Sequence, residues 1–223
     1  MQKRIWGASL AATAVLLLVA FTGTASAGLI KALRLQVAGT PLAVGAPIVA
    51  SSSNLTVSNA FWSMACTESA LSGTIGQNNK AKDDFMPLPE GTFAGGGNEG
   101  LCADPFDFVT AWLPQSPAEL ILERKGNAQL RFARLRMTPL EDINKPPGQH
   151  EACAVSSNVV KGTFPLTATP QPLTITFTHV KMRLESSHGV ECGSGKGHAP
   201  TMSATFTFTS GGEEVDDVIF EHG

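Results

Sequence analysis

The sequence predicts an all-β fold, an antiparallel sandwich or barrel stapled by two disulfides. Three observations carry that expectation. Short stretches alternate apolar and polar residues with period two, and long stretches of helical periodicity are absent. Threonine, serine and glycine are abundant, a composition that suggests short strands joined by turns. Four cysteines, Cys66, Cys102, Cys153 and Cys192, all follow a leader of the export type. An even cysteine count in an oxidising compartment reads first as paired bridges.

The leader is "MQKRIWGASLAATAVLLLVAFTGTASAG". Lys3 and Arg4 precede an uncharged apolar run from Ala8 to Phe21, and Ala25-Ser26-Ala27 supplies small residues for cleavage. This is the three-part layout of a secretory signal peptide, assigned to residues 1–27. The run is short of the roughly 20 apolar residues that a spanning helix needs, so no membrane span is expected in the mature chain. Without Lys3 and Arg4, two of the 16 basic residues, 14 remain against 19 acidic ones, a formal charge of −5. Such a balance lacks the basic footprint of a nucleic-acid-binding protein.

Each strand has its own pattern. "SPAELILERKG" carries a capping box from Ser116 to Glu119, yet a helix of about eight residues would be isolated and marginal. It is read instead as a strand that turns at Gly126-Asn127 into "QLRFARLRM". There Leu130 and Phe132 face inward, then Leu135 and Met137 after a slip near Ala133. The slip leaves Arg131, Arg134 and Arg136 on one outer face. "LTITFTHVKMRL" turns Leu173, Ile175 and Phe177 inward, then changes phase to Val180, Met182 and Leu184. An extra residue at Thr178–His179, a β-bulge, accounts for the change. "SATFTFTS" points Ala204, Phe206 and Phe208 one way and its threonines the other. "MPLPEGTFAGGGNEG" from Met86 and "TPLEDINKPPGQH" from Thr138 read as loops.

"CTESALSGTI" at Cys66 is echoed by "CAVSSNVVKGTF" at Cys153: a cysteine, a serine three residues on, then Gly-Thr and an apolar residue. The next cysteine follows 36 residues after Cys66 and 39 after Cys153. One unit of about 90 residues used twice explains both spacings. Four cysteines allow three pairings, and like-with-like pairing gives Cys66–Cys102 and Cys153–Cys192. The expected division is 28–138 for the first β unit, 139–149 for a Pro-rich connector and 150–223 for the second unit. The two units are free to form one compact domain.

With its leader, its "C…SGT" and "C…KGT" segments, its spaced cysteines and its late "TFTFT" strand, the chain resembles a loose group of exported, disulfide-bonded β-proteins of high-GC Gram-positive bacteria. The resemblance covers most of the mature chain and implies architecture only, because the group carries no assigned activity.

Catalytic signatures fail one by one. "VECGSGKGHAPT" lacks the glycine five residues before its Gly195-Lys196 pair, has Gly197 where a P-loop needs a hydroxyl, and runs into a strand. It reads as a turn tethered at Cys192. Gly-x-Ser-x-Gly and Ser-x-x-Lys are both absent, and "HEACA" at His150 lacks the second histidine of a zinc protease. The cysteines lie too far apart for a structural zinc site with His150, His188 or His198. No cofactor is expected. Glu213, Glu214, Asp216 and Asp217 form an acidic turn, the one candidate for weak calcium binding, although the spaced-acid calcium loop is missing. Trp62 and Trp112 sit in apolar runs and read as core, Trp62 packed on a disulfide. Arg131, Arg134 and Arg136 form a stripe able to contact an anionic polymer. The resulting expectation is a secreted, non-enzymatic structural or binding module, extracellular or at the cell envelope. Its partner would be an envelope polymer or another surface protein. The alternative is an envelope-polymer hydrolase of unrecognised type.

Overall fold

The computed structural model describes residues 34–60, 62–78, 83–97, 101–103, 108–114, 118–123, 125–139, 152–166, 170–188 and 199–216. Among them the regular structure is all β. The signal peptide and "VECGSGKGH" lie outside this set. The chain begins with β1 (Gln36–Val37), β2 (Thr40–Pro41), β3 (Pro47–Ser52), β4 (Leu55–Ser58), β5 (Ser63–Cys66) and β6 (Glu68–Thr74). β7 (Asp84–Leu88), β8 (Glu90–Ala94), β9 (Phe108–Trp112) and β10 (Ala118–Glu123) follow. Then come β11 (Asn127–Pro139), β12 (Ala152–Thr163), β13 (Thr174–Lys181), β14 (Arg183–His188), β15 (Thr201–Ser210) and β16 (Glu213–Glu214).

Of the two expected architectures the structure is the barrel. One antiparallel sheet runs β7-β10-β11-β12-β13-β15-β3-β6, and its two ends nearly close on each other. Gly76 and Gln77, just beyond β6, donate their N–H groups to the Phe85 carbonyl of β7, at 2.8 and 2.9 Å, and the Phe85 N–H returns to the Gln77 carbonyl at 3.1 Å. Among the described residues the strands' inward side chains pack closely. The central void they leave is only about 10 Å³, and Leu71, Leu88, Leu120, Leu130, Phe177 and Phe206, each from a different strand, converge on it. Phe177 and Phe206 meet edge to face with centroids 6.2 Å apart, a favoured aromatic geometry.

The pairing pattern occurs twice. β3 pairs with β6 from Pro47↔Thr74 onward, as β11 pairs with β12 from Asn127↔Thr163. β6 then takes β8 on its other side, as β12 takes β14. The end of each inner strand reaches the next one along the ring, Gln77↔Phe85 in one half and Thr163↔Thr176 in the other. Finally β9 and β10 dock on β11, while β15 docks on β3 and β4, so each half ends on the first strand of the other. This places the division of the repeated pairing at the Glu123–Asn127 turn. The expected connector 139–149 falls, apart from Pro139, outside the described residues, and the strands on either side of it pair with each other.

The duplicated Gly-Thr has a steric cause. A β-carbon on Gly162 would lie 2.7 Å from the Phe177 ring and 2.8 Å from the Thr176 carbonyl oxygen, both in β13. One on Gly73 would overlap the Pro87 carbonyl of β7. At both corners of the barrel only glycine lets the inner strand cross its neighbour. The apolar residue after each Gly-Thr, Ile75 or Phe164, is buried.

Several expectations are corrected. Met86–Ala94 is not a loop: it forms β7 and β8, with Met86 and Leu88 facing the core. Pro87 had argued for a loop, yet β7 donates to no ladder at that position, and proline is tolerated there. The β10–β11 hairpin is present, but it turns before Asn127, because Glu123 pairs with Asn127 and Gly126 takes the left-handed conformation (φ 78°). The phase slip in β11 is centred on Phe132 itself (φ 56°), which points outward, while Ala133 is buried. Of the two disulfides the structure shows Cys66–Cys102. Cys192 lies outside the described residues, and no described cysteine is free.

Candidate functional site

The bulges build a site on the outer wall of the barrel. In β11 Leu130 and Ala133 both face the core, so Arg131 and Phe132 are turned out together. The neighbouring β12 shifts phase at the same level: Val155 and Val160 are buried, with Ser156 and Ser157 half-buried and Asn158 and Val159 exposed between them. In β13 the expected bulge at Thr178–His179 is present. The register moves between Phe177↔Ala204 and Val180↔Met202, His179 adopts φ 47°, and its N–H is accepted by Ser203 Oγ at 2.9 Å. Beyond the bulge Met182 is buried, so Lys181 and Arg183 on either side of it face solvent.

These shifts open a cleft of about 710 Å³ across β11, β12, the end of β13 and β14. Cross-strand register lines up Arg134, Ser156 and Arg183 in one row. Three cations, Arg134, Lys181 and Arg183, share the cleft with Ser156, Ser157, Asn158 and a single carboxylate, Glu185. Glu185 is held on both oxygens: Arg134 Nε is 2.7 Å from Oε2, and Ser156 Oγ donates to Oε1 at 2.7 Å. The Arg134 contact is an ion pair whose N–H is not aligned for a hydrogen bond.

A second cleft, of about 510 Å³, occupies the equivalent place in the first half, over β3, β6 and β8. Where the first has cations, this one has Ser51, Ser53, Thr67, Thr92 and Thr207, with Glu68 the sole ionisable group.

Among the sequence-picked residues, only Arg134 of the arginine stripe lines the cationic cleft. Arg131 is half-buried, its Nε and Nη2 each 3.4 Å from Gln129 Oε1, and Arg136 is exposed one step along the same face. Lys181 and Arg183 were not singled out, although the inward phase of Val180, Met182 and Leu184 in "LTITFTHVKMRL" already turns both outward. Glu213 and Glu214 stand exposed after a Gly211-Gly212 turn, and the Asp216 N–H is tied to the Gln36 carbonyl at 2.8 Å. Asp217 lies outside the described residues, among which no three His, Cys, Asp or Glu groups are placed to hold a metal ion. Trp112 is core: its Nε1 donates to the Leu88 carbonyl at 3.1 Å and its ring meets Phe93 at 6.2 Å. Trp62 is buried as well, with its N–H on Asn59 Oδ1 at 3.1 Å.

No family model, curated protein or solved structure matches the chain.

Proposed function

We propose that the protein is an exported, non-enzymatic binding module that holds an anionic component of the cell envelope in the Arg134–Lys181–Arg183 cleft. The contrast between the two clefts carries this reading. Both sit at the same place in the repeated strand pattern, and the first half builds its cleft with hydroxyls and no cation. A cleft at this place in the repeated pattern therefore does not require cations, and the excess of positive charge of Arg134, Lys181 and Arg183 over Glu185 suits an anion.

Export rests on the signal-peptide pattern of residues 1–27. A disulfide, and the lack of any membrane-spanning helix among the described residues, are compatible with it. In its glycosidase form the hydrolase alternative asks for a pair of carboxylates about the scissile bond. The cleft has one, and that one is engaged by Arg134 and Ser156.

Inorganic polyphosphate is a suitable probe. The parent should bind it with an affinity that falls as salt rises. Replacing the exposed Lys181 and Arg183 by glutamine together should weaken binding by about tenfold, the scale of two exposed charge contacts. No binding by the parent, or equal binding by the double variant, would refute the proposal.

A further inference from the structure

The cationic cleft has an apolar lip. Of the four large apolar side chains that stand exposed among the described residues, Val44, Leu113, Phe132 and Val159, the last three lie on β11 and at its two neighbours, near the Arg134 end of the cleft. The Leu113 N–H bonds to the Arg134 carbonyl at 3.1 Å, placing Leu113 beside Arg134 on the outer wall. Val159 pairs with Arg131 on the opposite strand, and Phe132 lies between them along β11. Leu113 is 42% exposed, and Phe132 and Val159 are 39% exposed each.

Phe132 is the telling member. A bulky residue in the left-handed region is an outlier, and such strain concentrates where a surface is used. Here φ is 56°, and its effect is to aim an aromatic ring at solvent while Leu130 and Ala133 keep their places in the core. An exposed ring and two aliphatic side chains next to Arg131 and Arg134, on the wall that also carries the cleft cations Lys181 and Arg183, combine insertion into an acyl boundary with attraction to anionic headgroups. Apolar side chains exposed beside polar and charged groups are the kind of surface that marks an interaction site.

We infer that this face docks on an anionic lipid surface: Leu113, Phe132 and Val159 enter the interface, and the cleft cations hold headgroup phosphates. The inference rests on the anion-binding reading of the same cleft and narrows its ligand from anions in general to a membrane.

Co-sedimentation with lipid vesicles tests it. The parent should pellet with vesicles of mixed phosphatidylglycerol and phosphatidylcholine, and much less with phosphatidylcholine alone. The double variant Leu113→Ser, Phe132→Asn keeps a residue tolerant of the left-handed backbone at 132, so a urea melt like the parent's would show that it folds. It should lose about tenfold in vesicle affinity, the scale of withdrawing two apolar side chains from an interface, and still bind polyphosphate as the parent does. Vesicle binding unchanged in that variant, or polyphosphate binding by a parent that ignores vesicles, would overturn the lipid inference and leave the anion site standing. Failure of the parent to bind either probe would overturn both.

Discussion

Arg134 and Glu185 meet over the top of a strand that separates them. Arg134 lies on β11 and Glu185 on β14, two strands that pair only with β12 between them, yet Nε and Oε2 are 2.7 Å apart above Ser156. The pair is half-buried rather than enclosed, with 32% and 19% of the two side chains exposed. A contact of this kind contributes about 1 kcal/mol or less to stability. Its larger effect is on charge, because Glu185 offsets one of the three cations in the cleft.

Glu185→Gln should therefore strengthen polyphosphate binding while shifting the urea midpoint only slightly. The change in affinity should shrink as salt is raised, since the removed repulsion is electrostatic. Weaker binding, at unchanged stability, would mean that Glu185 itself contacts the ligand.

The disulfide prediction concerns folding. Cys66 and Cys102 close a loop with a sequence separation of 36, worth about 4 kcal/mol in the chain-entropy account. Replacing both by alanine should lower the unfolding free energy by roughly that amount, a large share of the about 5–15 kcal/mol typical of a domain. With that bridge made, Cys153 and Cys192 are left only to each other. Peptide mapping without reductant should recover both crosslinks, and a linear peptide carrying Cys192 would remove the second.

Gly73→Ala and Gly162→Ala should each destabilise strongly, by about 3 kcal/mol or more, because the new methyl meets backbone atoms of a paired strand that cannot move aside. Gly45→Ala is the control. Its φ is 87°, but open space surrounds it, so only the left-handed backbone penalty of about 1–2 kcal/mol applies. Equal melting shifts for all three variants would show that crowding at the barrel corners is not the reason for glycine.

Gln36→Met should stabilise the protein. Gln36 is 1% exposed, and among the described residues neither its Oε1 nor its Nε2 has a hydrogen-bond partner. A buried unpaired amide costs about 1–3 kcal/mol, and methionine has nearly its shape without that cost. A higher urea midpoint is expected. A lower one would mean that the amide is satisfied by bound solvent.

The sequence by itself determined the all-β class, the inward faces of β13 and β15 and the bulge at Thr178–His179. Each is written locally: period-two alternation shows which side of a strand meets the core, and a break in that alternation marks an inserted residue. The repeated Gly-Thr was legible as a pattern, and the crowding of Gly73 against Pro87 and of Gly162 against Phe177 supplies its reason. Closure into a barrel was decided only by tertiary structure, because it depends on which distant strands pair, and one alternating pattern serves a sandwich or a barrel equally. The same holds for β7 and β8, where two prolines masked an inward Met86 and Leu88 until β10 offered them a partner. The cleft is the least legible feature. Arg134, Lys181 and Arg183 face outward, where no packing constraint leaves a mark in the sequence, and they converge because β12 has β11 on one side and β14, which follows directly on β13, on the other.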